Sequence, residues 1–327
     1  MASTRQQRRE ADRERQKRRT NRSTHSWSLL LGAAAVIVAS VGWFAWDRIS
    51  HTPPVREGAP AWSADGKRIV FYSERGEGNG EILMMNADGS GLTPLVQNPA
   101  DDGSPAVSPD GRRLAFDTDR DGNFEIYAVN LDKTQLRRLT KNPARDVSPA
   151  WSPDSKTIAF MSDRATPGKG FDVYTMAAAD GSNVERVTTM GSAWFPQFSP
   201  DGKKLAFHVG RDVNVLDLTT KVMTPLTQDP ANGMYPSWSP DGQLIAFMSW
   251  RNGRTQIFTM TADGKDQKPL VTLASGSAID PRWSPDGHHI VFVQVPEATP
   301  ESPQDSKLPR AIYTVELSSG KVTRLSR

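Results

Sequence analysis

From about residue 59 onward, short apolar runs and polar turns follow one another in the same order six times. The most regular run pairs two aliphatic or small residues with Phe: Ile69-Val70-Phe71, Leu114-Ala115-Phe116, Ile158-Ala159-Phe160, Leu205-Ala206-Phe207, Ile245-Ala246-Phe247 and Ile290-Val291-Phe292. A continuous apolar run this short, bounded by turn residues, predicts a strand packed on both faces. Ahead of each stands Trp-Ser-Pro-Asp-Gly or a variant, beginning at Trp62, Val107, Trp151, Phe198, Trp238 and Trp283, at spacings of 45, 44, 47, 40 and 45 residues. Behind it comes an alternating stretch, as at 81–84, 125–128, 172–175 and 256–259. Three of the turns that follow are Asp-Gly (Asp88-Gly89, Asp180-Gly181, Asp263-Gly264), the chemistry of a tight hairpin. A shorter, more polar strand closes the unit, as at 136–139 or 322–325. Four strands per period of 40–47 residues, with weak helical periodicity, predict an all-β, six-bladed β-propeller over residues 59–327.

The recurring residues have architectural explanations. The turn Asp at 65, 110, 154, 201, 241 and 286 can cap its own turn, and the Pro that usually precedes it presets φ. The six Phe residues are placed to fill the space between blades. The same residues carry a resemblance. Residues 151–160, then 119–127 with its Asp-Arg-x-Gly-Asn-x-Glu-Ile-Tyr pattern, then Arg137-Arg138-Leu139-Thr140, resemble the propeller repeat of TolB and related WD-like domains. The resemblance covers the chain from about residue 59 to 327. The α/β domain that precedes the propeller in TolB is not evident here, since only about residues 51–58 separate the apolar run from the first repeat. It implies a propeller fold and a role in docking a protein or peptide of the cell envelope.

Before the repeats lies a different kind of sequence. Residues 27–46 form an uncharged apolar run flanked by Trp27, Trp43 and Trp46. Twenty residues at helical rise span about 30 Å, the thickness of a bilayer core. The bulky flank 43–46 favours an uncleaved single-pass anchor over a cleaved signal peptide. Residues 1–26 carry nine Arg or Lys against three acids, which places the N-terminus in the cytoplasm and the propeller outside the cell membrane, with 47–58 as linker. This tail, too charged to form a core, accounts for the basic balance of the chain. The remainder holds 31 basic and 34 acidic residues, so nothing in the folded part argues for nucleic-acid binding. Cysteine is absent, which excludes disulfides, thiol catalysis and lipoprotein attachment.

Catalytic signatures are sparse. There is no Gly-x-Ser-x-Gly elbow and no phosphate loop, and the propeller's His residues are His208, His288 and His289. Residues 117–125 resemble the start of a calcium loop, with Asp117, Asp119 and Asp121 as candidate ligands. However, Ala128 stands where a bidentate Glu belongs, and a polar hairpin is the plainer reading. No other cofactor is expected.

The repeats differ most where each inner strand begins. Every one is entered through Pro, at 60, 105, 149, 196, 236 and 281. The residues before these prolines are expected to ring the mouth of the central channel. Blades one to three contribute Glu57, Asp102 and Asp146. Blades four to six contribute Trp194, Phe195, Met234, Tyr235 and Asp280. Thirteen residues after each motif start stand Arg75, Arg120, Arg164, Arg211 and Arg251 on the same face. This Arg series is expected to pair with the acids and lock blades together, with ligand contact by Arg120 and Arg164 as the alternative. Clustered rim aromatics are not explained that way and point to a binding surface. The Pro-rich loop 294–309 leaves blade six on that face and is expected to border the mouth or to be disordered. The expectation is a monomeric, membrane-anchored binding module without enzymatic activity. The rival reading is an extracellular hydrolase or lyase acting on glycan or peptide at the same mouth.

Overall fold

A computed structural model describes residues 55–75, 78–228, 233–297 and 308–326. The apolar run 27–46, the basic tail and most of the loop 294–309 lie outside the described residues. Among those described, no helix is long and apolar enough to cross a membrane.

Six four-stranded antiparallel sheets follow one another along the chain, each with its strands hydrogen-bonded in sequence order. The inner strands are Arg56–Trp62, Asp102–Val107, Asp146–Trp151, Ala193–Phe198, Met234–Trp238 and Ser277–Trp283. The second strands are Arg68–Glu74, Arg113–Thr118, Thr157–Ser162, Lys204–Val209, Leu244–Ser249 and His289–Val295. The fourth strands are short, down to two residues at Arg137–Arg138 and Glu185–Arg186. The only helical element among the described residues is a 3₁₀ turn, Arg251–Gly253. This is the six-bladed propeller that the repeat spacing predicts.

The core consists of six apolar clusters, each shared by two neighbouring blades. Ile126 and Leu139 of blade two, for example, pack with Trp151, Phe160 and Tyr174 of blade three. All six repeat Phe residues are fully buried in these seams. The ring closes without a shared sheet. Ile69 and Phe71 of blade one pack against Val291, Ile312 and Leu325 of blade six, and Arg310 N–H donates to the Val55 carbonyl at 3.0 Å.

An up-and-down sheet has two ends, and they are built differently. At one end, every Ser-x-Asp turn repeats the same bonds. In blade three, Ser152 Oγ donates to Asp154 at 2.6 Å and accepts from Thr157 N at 2.9 Å, while Lys156 N donates to Asp154 at 3.1 Å. Equivalent Ser–Asp bonds occur at Asp65, Asp110, Asp201, Asp241 and Asp286. Glycine is compulsory at the outer hairpin of that blade. Gly181 has φ +75°, and a Cβ there would lie 1.9 Å from the Leu139 carbonyl oxygen.

At the other end every inner strand is bulged. Two residues, the second of them Pro, stand opposite the single repeat Phe: Ala59-Pro60 opposite Phe71, for instance, and Phe195-Pro196 opposite Phe207. Proline lacks the N–H that a ladder needs, so a bulge is where a sheet accepts it. The residue before it takes positive φ in all six blades: Ala59 47°, Ser104 45°, Ser148 54°, Phe195 54°, Tyr235 53° and Asp280 53°. None of these is glycine, so the surrounding sheet holds a conformation the isolated residue disfavours.

Candidate functional site

Two pairs of neighbouring bulge residues meet side chain to side chain around the pseudo-sixfold axis. Phe195 and Tyr235 stack at 4.2 Å between centroids, and Ser104 Oγ lies 3.5 Å from Ser148 Oγ. A central channel of about 460 Å³ is lined by all six blades, including Ala59, Ser104, Ser148, Phe195 and Asp280, and reaches the turn prolines at its other end. Because the bulge removes these N–H groups from the ladder, those of Ser148 and Phe195 find side chains of the preceding blade. Ser148 N donates to Asp117 Oδ2 at 2.8 Å, and Phe195 N points at Met161 Sδ at 3.0 Å.

The sequence-predicted residues fall into three groups. Glu57, Asp102 and Asp146 are three residues before Pro and are buried, at 1%, 1% and 0% exposure. Arg75, Arg120 and Arg164 cap them at 2.9, 3.0 and 2.8 Å. Each pair lies within one blade, so it ties an inner strand to its own second-strand corner instead of joining neighbours. Arg120 and Arg164 also lie over two aromatic rings each, of Phe116 and Tyr127 and of Phe160 and Tyr174. Burial raises the three carboxylates above their ordinary range, against the pull of the arginines. These acids are thus buried beneath the arginines that were expected to pair with them.

Asp280 is a different case. It occupies the bulge position, where blades one to three have Ala59, Ser104 and Ser148. The position equivalent to Glu57 is Ala278 in blade six, Gly233 in blade five and Ala193 in blade four. Asp280 is buried beside Arg282, whose Nη1 lies 2.8 Å from Oδ1, and burial raises its carboxyl.

Trp194, Phe195, Met234 and Tyr235 are all partly exposed. Trp194 packs edge-on against Phe171 at 4.9 Å, and Phe171 in turn lies under the Arg145 guanidinium at 4.8 Å. Tyr235 is pushed up to about 12, by burial first and the Asp280 charge second. Behind the Phe195–Tyr235 stack lies His208, parallel to Phe195 at 5.7 Å. Its Nδ1 is 3.0 Å from the Gly210 carbonyl and so carries the proton. Nε2 is buried with no hydrogen-bond partner among the described residues. Burial pushes this imidazole down to about 4, so it is neutral at physiological pH.

Three residues of this end escaped the sequence reading. Trp250, 55% exposed, follows the second strand of blade five and stands on the same face as Tyr235. A signal existed: the residue before the Arg series is Glu74, Asp119 or Asp163 in blades one to three, so Trp breaks the pattern. His208 and Arg282 were not singled out for the mouth, and no local motif marks them.

The three calcium candidates are directed to separate partners: Asp117 to Ser148 N, Asp119 to Asp101 N at 3.0 Å, and Asp121 to Arg138 at 2.9 Å and to Tyr127 Oη. Among the described residues, no three His, Asp or Glu side chains form a group that could hold a metal ion.

Comparison with known proteins adds family context to this geometry. The TolB beta propeller domain family matches residues 95–195 and 190–307. The crystal structure of TolB from Acinetobacter baumannii is similar at 28% identity and a TM-score of 0.61. The similarity covers 71% of this chain and 57% of that one, so the chain spans little more than half of that TolB's length. The tricorn protease (16% identity, TM-score 0.61, 84% of this chain and 26% of that one) shares the fold. So does a puromycin-hydrolyzing peptidase of Mycobacterium tuberculosis (16%, 0.59, 84% and 53%). At such identity these two show the fold alone. No curated protein matches the sequence.

Proposed function

The chain belongs to the TolB β-propeller family, and on that premise we propose that it is a binding module, not an enzyme, whose channel mouth docks a protein or peptide of the cell envelope. The observation that carries this reading is the one-sided mouth. Blades four and five present Trp194, Phe195 and Tyr235 around a buried neutral His208, and blade five adds the exposed Trp250 after its second strand, while the bulge positions of blades one to three are small. Aromatic side chains clustered on one rim, part buried and part exposed, have the character of binding hot spots. Among the described residues His208 has no carboxylate to orient it and no hydroxyl at Nε2, which favours a packing role over a base.

The apolar run 27–46 supports anchorage in the cell membrane with the propeller outside the cytoplasm. Protease added to spheroplasts is expected to digest the propeller while sparing a tag at Met1. For the mouth itself, the immobilised full-length chain should capture a specific envelope protein. Trp194→Ala and Tyr235→Ala should each weaken that capture at least tenfold with thermal unfolding still cooperative. Unchanged affinity in both, with loss on mutating the Asp-Gly-turn end, would place the site at the opposite face.

A further inference from the structure

We propose that the pocket between blades one and two receives a lysine or arginine side chain of the docked protein, with Asp117 as its counter-ion. The inference rests on the docking reading above and adds the chemistry of the second contact. A cavity of about 610 Å³ opens on the mouth face, with Tyr72, Glu74, Phe124 and Asp117 among its walls. Ala59 and Ser104 line this pocket and the central channel alike, so the two spaces share a wall of small side chains.

Asp117 is 96% buried, since its exposure is 4%. Its Oδ2 takes the Ser148 N–H and the Ser104 hydroxyl is a second hydrogen-bond partner, but no basic group among the described residues pairs with it. The other pocket carboxylates are committed: Glu74 to Arg56 and Tyr72, Asp102 to Arg120, and Asp101 to the Gly80 N–H at 2.8 Å. A buried carboxylate without a counter-charge weakens a fold, and burial together with the Asp102 charge raises this one to about 6.

The backbone is shaped to keep the space. A Cβ at Gly103 would lie 2.7 Å from Asp117 Oδ1, and one at Gly80 would lie 2.5 Å from the Tyr72 ring. A calcium ion needs six to eight oxygens, roughly, and Asp117 has one oxygen not bonded to backbone. An aliphatic stem against Tyr72 and Phe124, ending in a cation at Asp117, fits the same walls.

A positional-scanning library of blocked hexapeptides, read against the full-length protein, tests this. Wild type should prefer Lys or Arg at one position at least tenfold over norleucine. Asp117→Asn should cut that preference below twofold while leaving the apolar preference intact. Asparagine still offers an acceptor to Ser148 N, so its melting temperature should not fall. Ser104→Lys, which keeps Asp117 and supplies a cation from within, should remove the preference equally and covers the case in which Asp117→Asn misfolds. Peptides that bind without a basic preference, or a preference that survives both variants, would overturn this inference and leave the docking reading standing. No peptide binding at all would overturn both. Spermidine binding that Asp117→Asn abolishes, with no basic preference among peptides, would overturn the macromolecular ligand.

Discussion

The two ends of this propeller treat the same side chain in opposite ways. At the turn end, Asp65, Asp154, Asp201, Asp241 and Asp286 are held below the ordinary carboxylate range. The cause is chiefly the Ser hydroxyl two residues earlier, helped by a backbone N–H. At Asp110 burial opposes the shift and the same bonds outweigh it. At the mouth end, Glu57, Asp102, Asp117, Asp146 and Asp280 are all raised by burial. One end repeats a single self-satisfied turn six times. The other buries charge and varies from blade to blade. Architecture is invested in the first, and that contrast directs attention to the second for function.

The layer between the ends should belong to neither. Phe116→Ala and Phe207→Ala are each expected to lower unfolding stability by about 3–5 kcal/mol in urea titration. A difference between them above about 1 kcal/mol would show that the mouth's asymmetry reaches into the core.

Next in size is Asp117→Asn. The folded-state value, about 6, stands above the value of 3.8 for an unperturbed Asp. The folded protein therefore holds this proton more tightly than the unfolded chain does. Ionisation weakens the fold as pH rises from about 4 to about 6, by up to about 3 kcal/mol. The variant should accordingly gain stability at pH 8 and show little gain at pH 4. A loss at pH 8 would mean that the charge is compensated.

At the opposite end Ser152→Ala removes a hydroxyl that both donates to Asp154 and accepts from Thr157 N. A cost of about 1–2 kcal/mol is expected. Its Asp154 should titrate at higher pH by NMR than in wild type, because the lowering bond is gone. Asp154 itself works with the opposite sign to Asp117: its contribution is present at neutral pH and is lost as pH falls through its lowered value. Smallest is Trp250→Ala, which should change stability by no more than about 0.5 kcal/mol, as an exposed side chain would. Under the docking proposal it should still weaken partner capture. A large loss of stability would make Trp250 part of the scaffold.

Much of the turn end was legible in the sequence because it is periodic. Ser-x-Asp and the Phe triplet occur in every blade, and local bonds within five residues build the turn. The contrast of acids in blades one to three with aromatics in blades four and five was also legible. Which of those residues face outward was not. The bulge shifts the register between the acid position and the proline. Taking all the residues ahead of each Pro together grouped Asp280 with Glu57, although Asp280 stands inside the bulge, one residue before its Pro, and Glu57 ahead of it, three before. The burial of Glu57, Asp102 and Asp146 under arginines depends on the second-strand corner, eighteen residues away in each case. Asp117 and His208 gain their character from the neighbouring blade, which no local pattern records.

The bulge ring has a consequence for how such a chain can vary. Its backbone conformation is set by the proline and by the sheet on either side, and it already accommodates Ala, Ser, Phe, Tyr and Asp with φ between 45° and 54°. These six bulge positions, five of which line the channel, can thus be exchanged while the hydrogen-bonded ladders around them stay in place. For an engineer, or for natural drift, this is a combinatorial lock: the tumblers can be recut singly, and the barrel that holds them need not be rebuilt.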